Sequence, residues 1–332
     1  MARFALLTRE SSNRVYSDRA PELLAAELAA IVPKLHAEVA GIEQRCLGNV
    51  PYVIFNAPEL DDHDRFVASN LSSVRALFEV RDDALVPLPL ERLESFDDDL
   101  ITIQRYPGKT NEQFTHMLVN LTLAASASAH ARAAEGERVC LLDPVAGRGT
   151  TLNRALMYGF DAWGIERNEA DVEQYRTFII GYLKDHRIKH SATKEKVRKG
   201  PVAGTSAFAV TIRSDQQLRM SSGRSAQVRD LFPGRQFDLI VGDLPYGVQH
   251  RAAGEKSSTR SSEILIGESV SAWRAAMRPG AALGLSWNRK TMARTTVVDL
   301  LEANRLHAVE HPVSFQHVVD RSITRDLIVA TR

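Results

Sequence analysis

Cysteine and long apolar runs are what this sequence has least of. Only two cysteines, Cys46 and Cys140, occur in 332 residues, and neither belongs to a CxxC pair or a histidine cluster. This pattern supports neither a disulfide framework nor a zinc site, so we expect two buried thiols and no metal. No apolar stretch is long enough to span a bilayer, and no basic-then-apolar signal opens the chain. We therefore expect a soluble cytoplasmic protein without a membrane partner.

The net charge is also close to zero, and this value excludes no class of binding partner. A formal charge of +1 leaves nucleic acid open as a partner, because a local basic face can bind it on a neutral protein. Residues 184–199 form the one strongly basic stretch, with seven lysines and arginines against two acids. This stretch either grips phosphates or is a solvated helix end followed by a loop.

Length and pattern divide the chain into two domains. Residues 1–100 mix strand-like and helical patterns and predict a small α+β domain, and the run 87–99, with two prolines and five acids, indicates the boundary. Residues 101–332 alternate strands with helices, which predicts an α/β domain with a mostly parallel, Rossmann-like sheet and a terminal antiparallel hairpin.

The predicted elements follow from apolar periodicity and turn residues. In the first domain we predict strands at 4–7 and 50–55 and helices at 21–32 and 62–78. In the second we predict helices at 111–134, 150–158, 169–186, 269–277 and 292–303, and strands at 139–142, 161–165, 237–241, 281–286, 307–315 and 326–330.

A glycine-rich turn follows the first strand of the second domain, in the sequence Asp143-Pro-Val-Ala-Gly147-Arg-Gly149-Thr-Thr. Glycines let the backbone approach a ligand closely at the carboxyl end of a strand, where open α/β sheets bind ligands. The spacing matches neither GxGxxG nor a phosphate loop, so a cofactor without phosphate, S-adenosylmethionine, fits better. Glu166 ends the next strand, where a carboxylate can accept both ribose hydroxyls. The alternatives are a turn without a ligand and, for Glu166, an acid that starts a helix.

The tetrapeptide Asp243-Leu244-Pro245-Tyr246 follows the apolar run 237–242. Asp243 and the Leu244 carbonyl can accept the hydrogens of an exocyclic amine, Pro245 stiffens the turn, and Tyr246 can stack on a base. The alternative is an aspartate cap followed by a proline turn. Both motifs end strands of one sheet, which favours a cofactor site beside a base site.

On these motifs residues 101–332 resemble class I S-adenosylmethionine-dependent methyltransferases that act on amino groups of nucleobases. The likeness is greatest to the tRNA guanine-N2 methyltransferases of the eukaryotic and archaeal type and their bacterial relatives. The resemblance implies that the tetrapeptide, with Gly247 behind it, is catalytic and that no metal is required. It implies cofactor binding by Asp143, Pro144, Ala146, Gly147, Gly149, Thr150, Glu166, Thr110 and Asn111.

The segment 105–111 resembles the family element that closes over the methionine end of the cofactor. By that likeness Lys109, Thr110 and Asn111 touch the cofactor's carboxylate, although lysine and asparagine at a helix start also make a plain cap.

Two features depart from the family pattern. Relatives carry an acid near the cofactor's adenine, whereas residues 220–225 hold none and Asp215 is the nearest upstream candidate. Residues 1–100 show no clear THUMP-type RNA-binding domain.

Two further segments are candidates for substrate contact. Residues 250–262, directly after the tetrapeptide, are predicted as a substrate loop or as plain disorder. Residues 287–290, Trp-Asn-Arg-Lys, follow a predicted strand, and Trp287 either brackets a flipped base with Asn288 or packs against the sheet.

The predicted function is methyl transfer from S-adenosylmethionine to an exocyclic amine of a base in RNA, with guanine N2 in tRNA as first choice. The first hundred residues would then position the nucleic acid. The alternatives are a DNA adenine-N6 methyltransferase and a catalytically inactive subunit that binds RNA or activates a partner. The oligomeric state and any accessory subunit are open.

Overall fold

A computed structural model describes residues 1–332 except 12, 83, 107, 198–199 and 247–260. Gly247, the last two basic residues of 184–199 and most of the predicted substrate loop therefore lie outside the described residues. The chain forms two compact units. The first comprises Met1–Leu93 and Glu310–Val319, and the second comprises Glu94–Val309 and Asp320–Arg332.

The first unit is an antiparallel sheet with two helices, in the strand order β2-β3-β1-β4-β5. Its chain order β-α-β-β-α-β is that of the ferredoxin-like arrangement, with one strand added. Phe4 and Phe55 stack in its core with ring centroids 5.5 Å apart. Its elements up to Leu93 are β1 (Ala2–Thr8), α1 (Arg14–Ile31), β2 (Ala40–Leu47), β3 (Val50–Ala57), α2 (Asp62–Ser69), β4 (Val74–Arg81) and β5 (Ala84–Leu88).

Two predictions in the first unit were wrong. The helix predicted at 62–78 ends at Ser69, and Val74–Arg81 is a strand that pairs with β1. Tertiary pairing overrides the local helical pattern, because Val74–Arg81 pairs with β1 on one side and with β5 on the other. Cys46 was expected to be buried but is exposed, since it lies on β2, an edge strand whose residues are mostly exposed.

The second unit is an α/β sheet with helices packed on it. Its elements, with one short strand of the first unit in chain order, are α3 (Asp99–Thr102), α4 (Glu112–Ala125), α5 (Ala127–Ala134), β6 (Cys140–Asp143), α6 (Thr150–Met157), β7 (Asp161–Glu166), α7 (Glu169–Asp185), β8 (His190–Lys196), β9 (Ser206–Ile212), β10 (Gln216–Ser222), α8 (Val228–Leu231), β11 (Phe237–Asp243), α9 (Ser261–Ala276), β12 (Met277–Asn288), α10 (Arg294–Glu302), β13 (His307–Ala308), β14 (His317–Val318, first unit) and β15 (Thr324–Thr331).

The sheet order β13-β15-β12-β11-β6-β7-β10-β9-β8 confirms the predicted Rossmann-like fold. Strands β12, β11, β6, β7 and β10 run parallel, and β15 runs antiparallel to β12. In chain order the parallel strands read 3-2-1-4-5, so the order reverses between β6 and β11. Ligands of doubly wound sheets bind outside the carboxyl ends of the strands at this switch point.

Three local differences from the predicted elements have physical causes. The helix predicted at 111–134 breaks at Ser126, whose hydroxyl accepts from the Ala129 amide at 3.1 Å and donates to the Asp238 carbonyl at 3.1 Å. The strand predicted at 307–315 is only two residues long, because 310–319 belongs to the first unit. Strand β13 still pairs antiparallel with β15, but no tight hairpin joins them.

Strands β8, β9 and β10 were not among the predicted strands. Strand β10 pairs parallel with β7, and β9 and β8 extend the sheet beyond it as antiparallel neighbours. Strand β8, His-Ser-Ala-Thr-Lys-Glu-Lys, is exposed along almost its whole length. An edge strand that is polar on both faces carries no apolar alternation, which is the signal for a strand.

The first unit leaves the second at Leu93, a residue within the run 87–99. Residues just after Leu93 are held by the second unit, where the Ser95 amide donates to the Met157 carbonyl at 2.9 Å. The His186 ring lies 3.0 Å from an Asp99 carboxylate oxygen in the same unit. None of the helices in the described part of the chain has the length and apolar character needed to cross a membrane.

Candidate active site

Three carboxylates end neighbouring strands at the switch point. Asp143 ends β6, Glu166 ends β7 and Asp243 ends β11. Leu142 pairs with Ile240 in register, so the ends of β6 and β11 lie side by side. The glycine turn and the tetrapeptide are thus brought to one edge of the sheet.

A glycine lets the two motifs touch. A Cβ built on Gly242, the residue before Asp243, would lie 3.1 Å from the Val145 side chain and 3.5 Å from that of Pro144. Any side chain at this position would push the tetrapeptide away from the glycine turn.

The two glycines of the turn serve different purposes. Both have left-handed backbone, with φ of +51° at Gly147 and +82° at Gly149. A Cβ on Gly149 would clash with the Tyr175 ring, whereas a Cβ on Gly147 would meet no described atom within 4 Å. Gly149 is required for packing against α7, and Gly147 presents its backbone to open space where a ligand can approach.

Glu166 is tied to the turn by backbone amides. Its two carboxylate oxygens accept from the Gly147 amide at 2.9 Å and from the Asn168 amide at 2.8 Å. Helix α7 is capped by Asn168, whose side chain accepts from the Ala170 amide at 3.0 Å, so Glu166 is not the helix cap. A carboxylate offers about four acceptor positions, which leaves capacity for ribose hydroxyls.

Asp143 is a buried acid. Burial raises the pKa of its carboxyl to about 7, and the charges of Asp243 and Glu166 add to this effect. The Val145 amide, at 2.9 Å, and the Thr151 hydroxyl donate to the carboxylate and oppose the rise in pKa. A cation placed here would favour the ionised carboxylate.

The segment before α4 reaches both motifs. The Tyr106 hydroxyl lies 3.0 Å from the Thr150 hydroxyl, and the Arg148 guanidinium lies 4.9 Å above the Tyr106 ring. The Thr110 hydroxyl donates to Oδ2 of Asp243. The sequence placed Thr110 with the cofactor residues, and the structure also brings it to the tetrapeptide.

Lys109 and Asn111 have structural partners. The Lys109 ammonium donates to the Ile101 carbonyl at 2.6 Å and pairs with Glu112. The side-chain oxygen Oδ1 of Asn111 caps α4, because it accepts from the backbone amides of Gln113 and Phe114 at 3.0 Å each. Cofactor contact by Asn111 stays a prediction, made from a residue whose oxygen already holds the helix.

The tetrapeptide is anchored by its backbone. The Leu244 amide donates to the Ser286 carbonyl at 2.9 Å, and the Leu244 side chain is buried. The Ser262 hydroxyl donates to the Pro245 carbonyl at 2.6 Å. These bonds join the turn to β12 and to the start of α9.

The Tyr246 hydroxyl has two partners within the site, and stacking of its ring on a base stays a prediction. Its hydroxyl donates to Oδ1 of Asp243 and accepts from Nε of Arg325 at 2.6 Å. Burial raises the pKa of the Tyr246 phenol well above its usual value, so the phenol keeps its proton. The Arg325 guanidinium lies 5.1 Å from the centre of the ring. Sequence reasoning missed Arg325, because a lone arginine at the start of a terminal strand carries no motif.

Asp215 does not lie at the site, and for Trp287 the structure follows the packing alternative. Asp215 lies just before the amino-terminal end of β10, whereas the site lies at the carboxyl ends of the strands, and it pairs with Arg138. Trp287 is fully buried and donates from its ring nitrogen to the Met292 carbonyl at 2.9 Å, so it packs in the core and does not bracket a base. The side-chain oxygen Oδ1 of Asn288 accepts from the backbone amides of Lys290 and Thr324 and so holds the turn after β12.

Residues 223–229, which directly follow β10, include no acid. Ser222 ends this strand and its hydroxyl accepts from the Ser206 amide at 2.8 Å, while the Gly223 amide donates to the Glu166 carbonyl at 2.9 Å. Within the basic stretch 184–199, the described Lys194 pairs with Glu173 at 2.8 Å.

No protein-family model matches the sequence, and no curated protein matches it. A putative RNA methyltransferase from Pyrococcus horikoshii is 12% identical over 72% of this chain and 90% of that one, with a TM-score of 0.38. An rRNA methylase from Streptococcus thermophilus is 9% identical over 59% and 87%, with a TM-score of 0.35. Magnesium protoporphyrin IX methyltransferase from Synechocystis, solved with bound SAM, is 13% identical over 68% and 86%, with a TM-score of 0.37. At such values these likenesses decide neither reaction nor substrate.

Proposed function

We propose that the second unit transfers a methyl group from S-adenosylmethionine to an exocyclic amine of a base in RNA, with guanine N2 in tRNA as first choice. The observation that supports this most is the placement of Asp143 and Asp243 on either side of the switch point. An open glycine turn lies on one side and an amine-accepting carboxylate lies on the other.

The residues present fit the cofactor. S-adenosylmethionine has an ammonium group, a ribose and no phosphate, and the turn offers a buried carboxylate, a second carboxylate and an unobstructed backbone at Gly147. Asp143 would hold the ammonium and Glu166 the ribose hydroxyls, with Pro144, Ala146 and the residues that follow forming the wall. When bound, the cofactor supplies a methyl group on a positively charged sulfur.

The chain's own residues prepare the amine. An exocyclic nitrogen shares its lone pair with the ring, so acceptors at its hydrogens raise its nucleophilicity. Asp243 accepts one hydrogen and can take the proton that the amine loses, and the Leu244 carbonyl can accept the other. Pro245 stiffens the turn that carries both acceptors. Thr110 joins the cofactor-side segment to Asp243, which holds the two halves of the site in fixed relation.

The test is methylation with labelled cofactor on bulk tRNA, rRNA and DNA, followed by mass spectrometry of the nucleosides. We expect label in RNA as N2-methylguanosine, and none with Asp243→Asn. Asp230→Asn, an exposed acid on α8, is the matched control and should label like the wild type. Label only as N6-methyladenine in DNA would replace RNA with DNA as the substrate. Absence of S-adenosylmethionine binding by calorimetry would instead support an inactive subunit.

A further inference from the structure

The Asp243 carboxylate is held by hydroxyls from three separate parts of the chain. Tyr246 and Ser286 donate to Oδ1, and Thr110 donates to Oδ2. Since each carboxylate oxygen accepts about two hydrogen bonds, the described residues fill Oδ1 and leave one position at Oδ2. The carboxylate is thereby oriented with Oδ2 as the acceptor that remains for a substrate.

Arg325 lies directly behind this arrangement. It is 4% exposed, at the start of β15, where it pairs in register with Asn288 of β12. Its guanidinium is 4.5 Å from the centre of the Phe114 ring and 5.1 Å from that of Tyr246. Both distances lie within the range of cation–π attraction, which helps to hold the guanidinium in place.

The contact of Arg325 with Tyr246 is closer than its contact with Asp243. Nε donates to the Tyr246 hydroxyl at 2.6 Å, whereas Nη2 is 3.9 Å from Oδ2 of Asp243, which is too long for a hydrogen bond. A donor on the phenol oxygen turns the phenol proton towards Asp243 and strengthens that bond through the chain Arg325-Tyr246-Asp243. Arg325 therefore acts on the carboxylate through the tyrosine.

We propose that Arg325 is a positioning residue of the reaction, which holds the Tyr246 hydroxyl on Oδ1 of Asp243 and so presents Oδ2 to the target amine. This inference rests on the proposed function. It also changes the role of Tyr246, whose hydroxyl becomes part of the amine-binding arrangement. The guanidinium additionally offsets the charge of Asp243 in a partly buried place.

The experiment measures kcat, KM for RNA and cofactor affinity for the variants R325K, R325M, Y246F and the double variant R325K/Y246F. We expect kcat to fall about 10-fold in R325K and about 100-fold in R325M, as for misplaced catalytic groups. Cofactor affinity should change less than about twofold, because Arg325 does not touch the glycine turn. In the Y246F background R325K should cost almost nothing further, since both residues act as one unit.

R294K is the matched control. Arg294 also contacts β15. It donates to the Leu327 carbonyl at 2.8 Å and pairs with Asp326, but it has no contact with Tyr246 among the described residues. Thermal unfolding of every variant separates lost folding from lost positioning, and R325K, which keeps the positive charge, carries the test if R325M fails to fold.

Two outcomes overturn the inference. Equal losses of kcat from R325K in the wild-type and Y246F backgrounds would mean that Arg325 does not act through the tyrosine. Wild-type kcat in R325K would mean that it does not position anything. Both differ from failure of the proposed function, in which the wild-type protein itself binds no S-adenosylmethionine or methylates no nucleic acid.

Discussion

The two sides of the switch point are built by different chemistry. On the glycine-turn side, mainly backbone amides hold the carboxylates: Gly147 and Asn168 donate to Glu166, and Val145 donates to Asp143, which also accepts from the Thr151 hydroxyl. On the tetrapeptide side, side-chain hydroxyls hold Asp243. Only proline removes a backbone amide donor, whereas any apolar substitution removes a hydroxyl. Apart from its carboxylates, its glycines and Asn111, the cofactor side should therefore tolerate changes of side chain better than the base side.

The two sides also differ in how far they reach along the chain. The cofactor side lies between residues 143 and 168, in one β-α-β unit. The base side brings together Thr110, Asp243, Ser286 and Arg325 from three strands and the segment before α4. Residues that lie close together in the sequence can be recognised as a motif. Residues that come from distant segments can be recognised only where one of them belongs to a motif.

The largest expected effect separates chemistry from cofactor binding. Asp243→Asn keeps the shape but removes the carboxylate, so kcat should fall about 10³-fold, the size seen when a positioned catalytic group is lost. Cofactor affinity by calorimetry should stay within about threefold. A comparable loss of cofactor affinity would show that the two sides are one binding site, and the comparison between them would fail.

The second prediction sets the two glycines of the turn against each other. Gly149→Ala forces a Cβ into the Tyr175 ring at a left-handed φ, and should lower the free energy of unfolding by about 3 kcal/mol. Gly147→Ala meets no described atom and should cost only the backbone strain, about 1 kcal/mol. Chemical denaturation measures both. The reverse ranking would contradict the assignment of Gly149 to packing and Gly147 to the ligand.

Cofactor binding should show the opposite order for these two variants. The added methyl at Gly147 occupies the space in which we place the ligand, so affinity should fall although stability hardly changes. In Gly149→Ala the folded fraction should bind with nearly normal affinity. Calorimetry at a temperature where both variants are folded distinguishes the two effects.

The third prediction uses the buried acid. The pKa of Asp143 is raised from its usual value to about 7, so the folded state binds this proton more tightly than the unfolded state does. The contribution to stability is full below about pH 4 and is lost as pH rises through about 7. The free energy of unfolding of the wild type, relative to Asp143→Asn, should fall over that interval and then level off.

Cofactor binding should have the opposite dependence on pH. An ammonium group favours the ionised carboxylate, so affinity should rise by up to about tenfold per pH unit as pH approaches 7, with release of a proton. Calorimetry in buffers of different ionisation enthalpy measures that proton. Binding without proton release near pH 6 would contradict contact between Asp143 and the cationic group.

The parts of the site that lie close together in the sequence could be predicted, whereas most contacts between distant segments could not. The strands that end in Asp143, Glu166 and Asp243 were predicted because apolar runs followed by glycine, proline or acid mark buried strands of a parallel sheet. Strand β8 was missed because neither of its faces is apolar. Arg325 and Ser286 were missed because their contact with Asp243 depends on the register of β12 and β15, which no local pattern encodes.

The smallest expected effect concerns Asn111, which lies where the two sides meet. Its oxygen caps α4, and its amide was predicted to touch the cofactor's carboxylate. Asn111→Asp keeps the cap and replaces the amide with a charge that repels a carboxylate, so stability should hold while cofactor affinity falls severalfold. Asn111→Ala should lose about 1 kcal/mol of stability as the cap disappears. If Asn111→Asp binds the cofactor like the wild type, Asn111 serves the helix alone, and the cofactor side depends still more on backbone.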